Sequence, residues 1–250
     1  FGRFRGALAN YTAVELGTLA VEGVLERAGI DPHSGIIDQV YMGQVLQAGA
    51  GQAPARQVAI AAGLPYSTPC TTINKVCGSS LKAAMVAATE IMAGKSNVVI
   101  AGGMESMSQA PHFIRGAKRG DEISFAELTG ILSHDGLKDA YDGSMMGITG
   151  ETIAKEANIS RSESDRYALR SHTLSDSAWE NGWLAEEVVS IDELERDEGI
   201  RIDTSVEGLA GLRTVFKDDG QVTAGNASQV SDGGSAVLIA SEEIANENGW

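Results

Sequence analysis

The sequence predicts an α/β fold: a largely parallel sheet covered by helices on both faces, with a long insertion before its last strand. Three observations predict it. Short apolar or β-branched runs alternate with amphipathic helical patterns as far as about Ala110. From there to about Gln221 the chain is more polar and the strand signals thin out. An apolar run then returns at Ser235 to Ala240, placed to rejoin the first sheet.

The first helix runs from Thr12 to Ala28. Thr12 with Glu15 three residues on is a capping-box pattern, and Gly29 is a stop. Val14, Leu16, Leu19, Val21, Val24 and Leu25 form its apolar side and leave Glu15, Glu22 and Glu26 outward. Ile36 to Val45 reads as a strand after the Asp31-Pro32 turn, and Pro54 opens a second helix that ends near Ala62. Cys70 to Lys75 is the next strand. Cys77 to Ala93 is a helix with Leu81, Ala84, Met85, Ala88, Ile91 and Met92 as its expected packed face. Val98 to Ala101 is a short apolar strand running into Gly102-Gly103. In the polar segment, Ser160 and Glu163 mark a capping box for a helix to about Asn181, with Gly182 as its cap. The acidic stretch Glu186 to Glu198 reads as a solvated face, and Gln221 to Ala224 as a return to regular structure.

Composition limits the function. Lys and Arg number 19 against 34 Asp and Glu, a net charge of −15. That argues against nucleic acid or an anionic membrane as the main partner, so an anionic small ligand needs a local basic patch. No run approaches the roughly 18 apolar residues of a membrane span. No signal-peptide pattern is present, and the chain opens on Phe1 like a piece of a longer protein. The two cysteines, Cys70 and Cys77, fit no zinc motif or disulfide framework, which suits a reducing intracellular setting.

Cys77 is the first chemical candidate. It stands where the strand Thr71-Thr72-Ile73 gives way to a helix rich in small residues. A helix N-terminus supplies amide donors and a positive dipole end that favour a thiolate, and small neighbours admit a substrate. The alternative is packing, which is the expected role of Cys70. Gly102-Gly103 and Gly233-Gly234 permit tight turns or close approach to a ligand, but neither makes a dinucleotide or P-loop motif. His33, His112, His134 and His172 show no ligand spacing, so no metal site is expected and none is an evident base for a thiol.

Five runs together carry a resemblance. They are Phe1-Gly2-Arg3-Phe4; Val45 to Gly49 with Gln52 to Gln57; Ile73 to Ser79; Ala101 to Ser108; and Val222 to Ser228. In this order they resemble the thiolases, acyl-CoA:acyl-CoA acyltransferases, and among them the acetyl-CoA acetyltransferase type. The resemblance implies a thiolase-like fold, with a mixed five-stranded sheet layered with helices and an inserted loop domain. It divides the chain into an N-terminal α/β domain over 1–108 and 230–250, and a CoA-binding loop domain over 109–229.

The implied mechanism makes Cys77 the nucleophile. It takes an acyl group from one acyl-CoA as a thioester; a second acetyl-CoA, deprotonated at its methyl, attacks that thioester in a Claisen condensation, and thiolysis is the reverse. Backbone N–H groups at the helix start can stabilise the tetrahedral oxyanion. Glu105 would stand behind the groups that touch substrate. Leu137, Met146, Arg201, Ala224 and Ser228 match CoA-contact positions, Arg201 toward the adenosine phosphates and Ser228 on the pantetheine arm. Three positions depart from the family pattern. Met145 stands where acetyl-specific members commonly have His, Gly208 where many have a Ser contacting adenine, and Thr152 where Asn is common.

The resemblance further implies acyl-CoA substrates without a permanently bound cofactor, a homodimeric or homotetrameric parent protein, a cytoplasmic location and a place in fatty acid metabolism. The family's other catalytic groups sit in Asn-Glu-Ala-Phe, Gly-His-Pro and Cys-x-Gly-Gly-Gly runs that these 250 residues do not contain. The chain therefore reads as a thiolase short of its first strand and of its second α/β domain. Alone, it is expected to show negligible condensing activity, marginal stability and a face prone to association. A 3-ketoacyl-CoA thiolase of broader chain length and a non-catalytic acyl-CoA-binding relative remain alternatives.

Overall fold

A computed structural model describes residues 1–192 and 194–250. The described residues form two compact units, Phe1–Leu132 with Ser231–Trp250, and Ser133–Val230.

The first unit is built on strands β1 (Gly2–Arg3), β2 (Gln39–Gly43), β3 (Cys70–Ile73) and β4 (Val98–Ser106). A small hairpin of β5 (His112–Phe113) and β6 (Thr129–Gly130) follows, and β7 (Ser231–Ala240) completes the main sheet. The main sheet has five strands in the order β1-β7-β4-β2-β3. β2 is parallel to both β3 and β4, whereas β7 is antiparallel to β4 and β1. The sheet is therefore mixed, and the expectation of largely parallel pairing holds only for its β4-β2-β3 half. The returning strand Ser235 to Ala240 does rejoin the sheet, but from Ser231 and in the opposite direction.

Helices α1 (Ala13–Ala28) and α2 (Pro54–Ala61) share one apolar cluster with Val40, Met42, Val98 and Ile100. Helix α3 (Ser79–Met92) covers the opposite face, where Ala83 and Ala87 meet Tyr41, Val99 and Ala101. Val40, Tyr41 and Met42 are all buried, so β2 is enclosed on both faces. The start of α1 is set as its sequence dictates. The Thr12 side chain accepts the Glu15 N–H, the Glu15 carboxylate accepts the Thr12 N–H, and Gly29 ends the helix at φ +65°.

Three elements differ from the sequence expectation for physical reasons. The packed face of α3 is Ser79, Ala83 and Ala87, while Leu81, Met85 and Met92 are exposed. Of the expected face, Ala84 and Ile91 do pack against this cluster, as does Val86, but the fully buried positions along the helix are taken by small side chains. The Gly102-Gly103 and Gly233-Gly234 pairs are neither turns nor ligand loops but mid-strand positions of the β4–β7 ladder. A Cβ on Gly102 would lie 2.1 Å from the Ser235 carbonyl oxygen, so this pairing needs glycine. Gln221 to Ala224 forms no strand; it contributes only an isolated bridge between Thr223 and Thr214.

The second unit holds α4 (Met146–Glu156), α5 (Arg161–Glu180) and the short α6 (Val206–Ala210). Ser160 and Glu163 form the capping box of α5; Asn181 is its cap and Gly182 follows at φ +71°. A last helix, α7 (Glu242–Asn248), belongs to the first unit and packs Ile244 on the α1 side of the sheet.

Candidate active site

Cys77 is exposed, in the turn between β3 and α3, just before the helix cap Gly78. The turn is closed by its backbone and by two side chains. Gly78 N–H donates to the Lys75 carbonyl at 3.1 Å and Ser79 N–H to the Val76 carbonyl at 3.1 Å. The Ser79 hydroxyl accepts the Lys75 N–H at 2.8 Å and donates to the Val76 carbonyl at 2.6 Å. Asn74 Oδ1 accepts the Val76 N–H at 3.0 Å. Val76 itself has φ +48°, a region that a β-branched residue enters only under constraint. The amides of Gly78 and Ser79 are thus already engaged inside the turn, so the helix start offers fewer donors than its sequence position implies.

Glycines bring this turn onto the sheet. A Cβ on Gly43 would stand 2.6 Å from the Ser80 nitrogen, and one on Gly103 would stand 2.7 Å from the Ser80 Cβ. The backbones of β2 and β4 therefore support the first turn of α3 directly.

Glu105 lies on β4 and faces the loop after β2. Its carboxylate accepts the Val45 N–H at 2.8 Å and the Leu46 N–H at 3.3 Å. Burial pushes its pKa up, against the opposing pull of these two donors. Cys70 is half-buried on β3; its thiol donates to the Thr68 carbonyl, and burial pushes its pKa up, partly offset by the nearby Arg56. His33, His112 and His134 are exposed, and His172 Nδ1 accepts the Arg201 N–H within the second unit.

The second unit contains the positions matched to CoA contacts. Leu137 ends a wide helical turn over Leu132–Leu137. Met145 is the cap residue of α4 and Met146 its first residue; Met145 is half-buried and Met146 exposed. Arg201, Gly208, Ala224 and Ser228 are exposed. The Val222 to Ser228 run is held by a buried polar network. Asp165 accepts from Arg161 Nε at 2.8 Å and from Asn226 Nδ2 at 2.9 Å, while Asn226 Oδ1 accepts the Thr223 N–H at 2.8 Å. Glu151 accepts the Gln221 and Val222 amides at 2.9 and 2.7 Å. Asp165 and Thr223 are almost wholly enclosed.

A sequence profile described as "Thiolase, N-terminal domain" matches residues 1–243. The chain belongs to the thiolase family. An acetyl-CoA acetyltransferase of Chromobacterium violaceum is 45% identical over 99% of this thiolase chain and 65% of its own length. A mitochondrial acetyl-CoA acetyltransferase of Danio rerio is 42% identical over 98% of this chain and 59% of its own. The crystal structure of the Acat5 thiolase from Ascaris suum in complex with coenzyme A superposes with a TM-score of 0.89 at 36% identity, covering 98% of this chain and 64% of that one. This chain thus spans slightly less than two thirds of the length of the relatives it matches.

The sequence places Asn74 and Ser79 in the motif run around Cys77 but assigns them no role, and it does not single out Gly43. For Asn74 and Ser79 the available signal was a short polar side chain within two or three residues of a strand-to-helix junction, where it can bond local backbone.

Proposed function

We propose that the natural protein carrying this chain is an acyltransferase that moves acetyl groups between CoA thioesters through an acyl-thioester on Cys77. The observation that carries this reading is Cys77 itself, exposed and held at the strand-to-helix turn within its complete family motif. The reaction is the reversible condensation of two acetyl-CoA to acetoacetyl-CoA and CoA. The Cys77 sulfur attacks the acetyl carbonyl and CoA leaves as the thiol; the carbanion of a second acetyl-CoA then bonds to the bound acyl carbon as its C–S bond to Cys77 breaks, releasing acetoacetyl-CoA and the Cys77 thiolate. Leu137, Met145, Met146, Arg201, Gly208, Ala224 and Ser228 form the CoA side of the reading, with the exposed guanidinium of Arg201 as its partner for phosphate.

Met145 and Met146 favour a second reading. Two adjacent flexible apolar side chains suit a longer acyl chain, as in a degradative 3-ketoacyl-CoA thiolase. The proposal extends to a cytoplasmic protein, homodimeric or homotetrameric, active in fatty acid metabolism, with CoA as substrate and no permanently bound cofactor. Among the described residues no helix is long and apolar enough to cross a membrane.

The test is labelled acetyl-CoA added to the natural-length protein, followed by peptide mapping. The label is expected on Cys77, lost in Cys77→Ser and kept in Cys70→Ser. An unlabelled Cys77 in an otherwise intact protein rejects the reading. Thiolysis rates on acetoacetyl-CoA and on longer 3-ketoacyl-CoA then separate the two substrate ranges.

A further inference from the structure

We propose that Asn74 is a positioning residue for Cys77, a role that rests on the acyl-Cys77 reading above. Its side chain makes two hydrogen bonds. Oδ1 accepts the Val76 N–H at 3.0 Å, and Nδ2 donates to the Val45 carbonyl at 3.3 Å. Neither bond belongs to the strand ladder. The first is local to the turn that carries the thiol, and the second ties that turn to the loop after β2.

The two ends of this clamp are themselves fixed. On one side, Val45 and Leu46 donate their amides to Glu105 on the central strand β4. On the other, Val76 is held at φ +48° with its N–H on Asn74 and its carbonyl on the Ser79 hydroxyl. Backbone strain of this kind persists only where neighbours over-determine it. Cys77 is the next residue: Asn74 holds the Lys75–Val76 peptide and Ser79 the Val76–Cys77 peptide, so the backbone leading into Cys77 is fixed on both sides of Val76. A continuous route therefore runs from the sheet through Glu105, Val45, Asn74 and Val76 to the nucleophile. Asn74 is exposed, so it adds little burial to the fold, and what it fixes is orientation.

Two reactions of the same thiol separate orientation from general integrity. Acetylation by acetyl-CoA needs the sulfur aligned on a bound carbonyl, whereas iodoacetamide is small and tolerates rotation of the side chain. Both rates are measured at Cys77 by peptide mass spectrometry on the natural-length protein, with Cys70 alkylation as the internal control. Asn74→Ala is expected to slow acetylation by about tenfold or more while alkylation of Cys77 stays within about twofold. Asn74→Ser, whose hydroxyl can take the Val76 N–H, is expected to recover part of the loss. The proposal is overturned if Asn74→Ala acetylates at the wild-type rate, if alkylation falls in parallel with acetylation, or if Asn74→Ser behaves like Asn74→Ala. Failure of wild-type Cys77 to acetylate is a different result, seen before any substitution, and it overturns the acyl-Cys77 reading together with this one.

Discussion

Gly43 lies beneath Ser79 so closely that a Cβ added to it would stand 2.7 Å from the Ser79 Cβ and 2.6 Å from the Ser80 nitrogen. The seat of the Cys77 turn is therefore backbone on backbone. Gly43→Ala must push the start of α3 off β2, at an expected cost of about 1–3 kcal/mol. Urea denaturation of the variant beside wild type measures it; an unchanged midpoint would show that the turn has room to give.

Glu105 links stability to pH with a definite sign. Its pKa in the folded chain is raised by burial, so the folded state holds the proton more tightly than the unfolded one. The contribution is present at low pH and is lost as pH rises through the raised value. Glu105→Gln removes it. The melting temperature of Glu105→Gln relative to wild type is expected to climb as pH rises from the ordinary glutamate range upward. A difference that shrinks with rising pH contradicts the assignment.

Asp165 is nearly enclosed and is the shared acceptor of Arg161 and Asn226. Asp165→Ala leaves both donors without their carboxylate and is expected to cost about 3 kcal/mol. Because Asn226 in turn holds the Thr223 amide, hydrogen exchange is expected to accelerate at Thr223. Exchange confined to α5 would place the network's role elsewhere.

The two sides of α3 should respond oppositely to substitution. Met85 is 53% exposed and Ala83 is wholly buried. Met85→Gln is expected to change the stability of this chain by less than about 0.5 kcal/mol. Ala83→Leu, forced against Tyr41 and Val99, is expected to cost about 1–3 kcal/mol. Thermal melts of the two variants decide between this face and the reverse.

That last pair shows where sequence patterns mislead. Periodicity picks out Leu81, Ala84, Met85, Ala88, Ile91 and Met92; Ala84 and Ile91 do pack on the sheet, but the bulky Leu81, Met85 and Met92 are exposed and the fully buried places go to Ser79, Ala83 and Ala87. The capping boxes at Thr12 and Ser160 were legible because each is a local contract between residues three apart. Cys77 was legible as a strand-to-helix junction, although the helix begins at Ser79. The full length of β4 was not, since glycine is a poor strand former and only the approach of Ser235 explains Gly102. The direction of β7 was hidden for a simpler reason: a short apolar run carries no mark of which way its neighbour points. Helices α4, α6 and α7 also went unread. The link from Asn74 to Val45 joins residues 29 apart, and no local pattern encodes it.

Ser106 and Asp232 stand opposite one another in the β4–β7 ladder, and the Ser108 amide and hydroxyl both bond the Asp232 carboxylate, 124 residues further along. The chain leaves the sheet and re-enters it through this one neck. The neck is closed by strand pairing, whatever the intervening residues contain. Closing a longer excursion is cheap, about 0.6 kcal/mol for each doubling of length. The segment between Ser108 and Ser231 can therefore change in length at little cost while the sheet keeps its register.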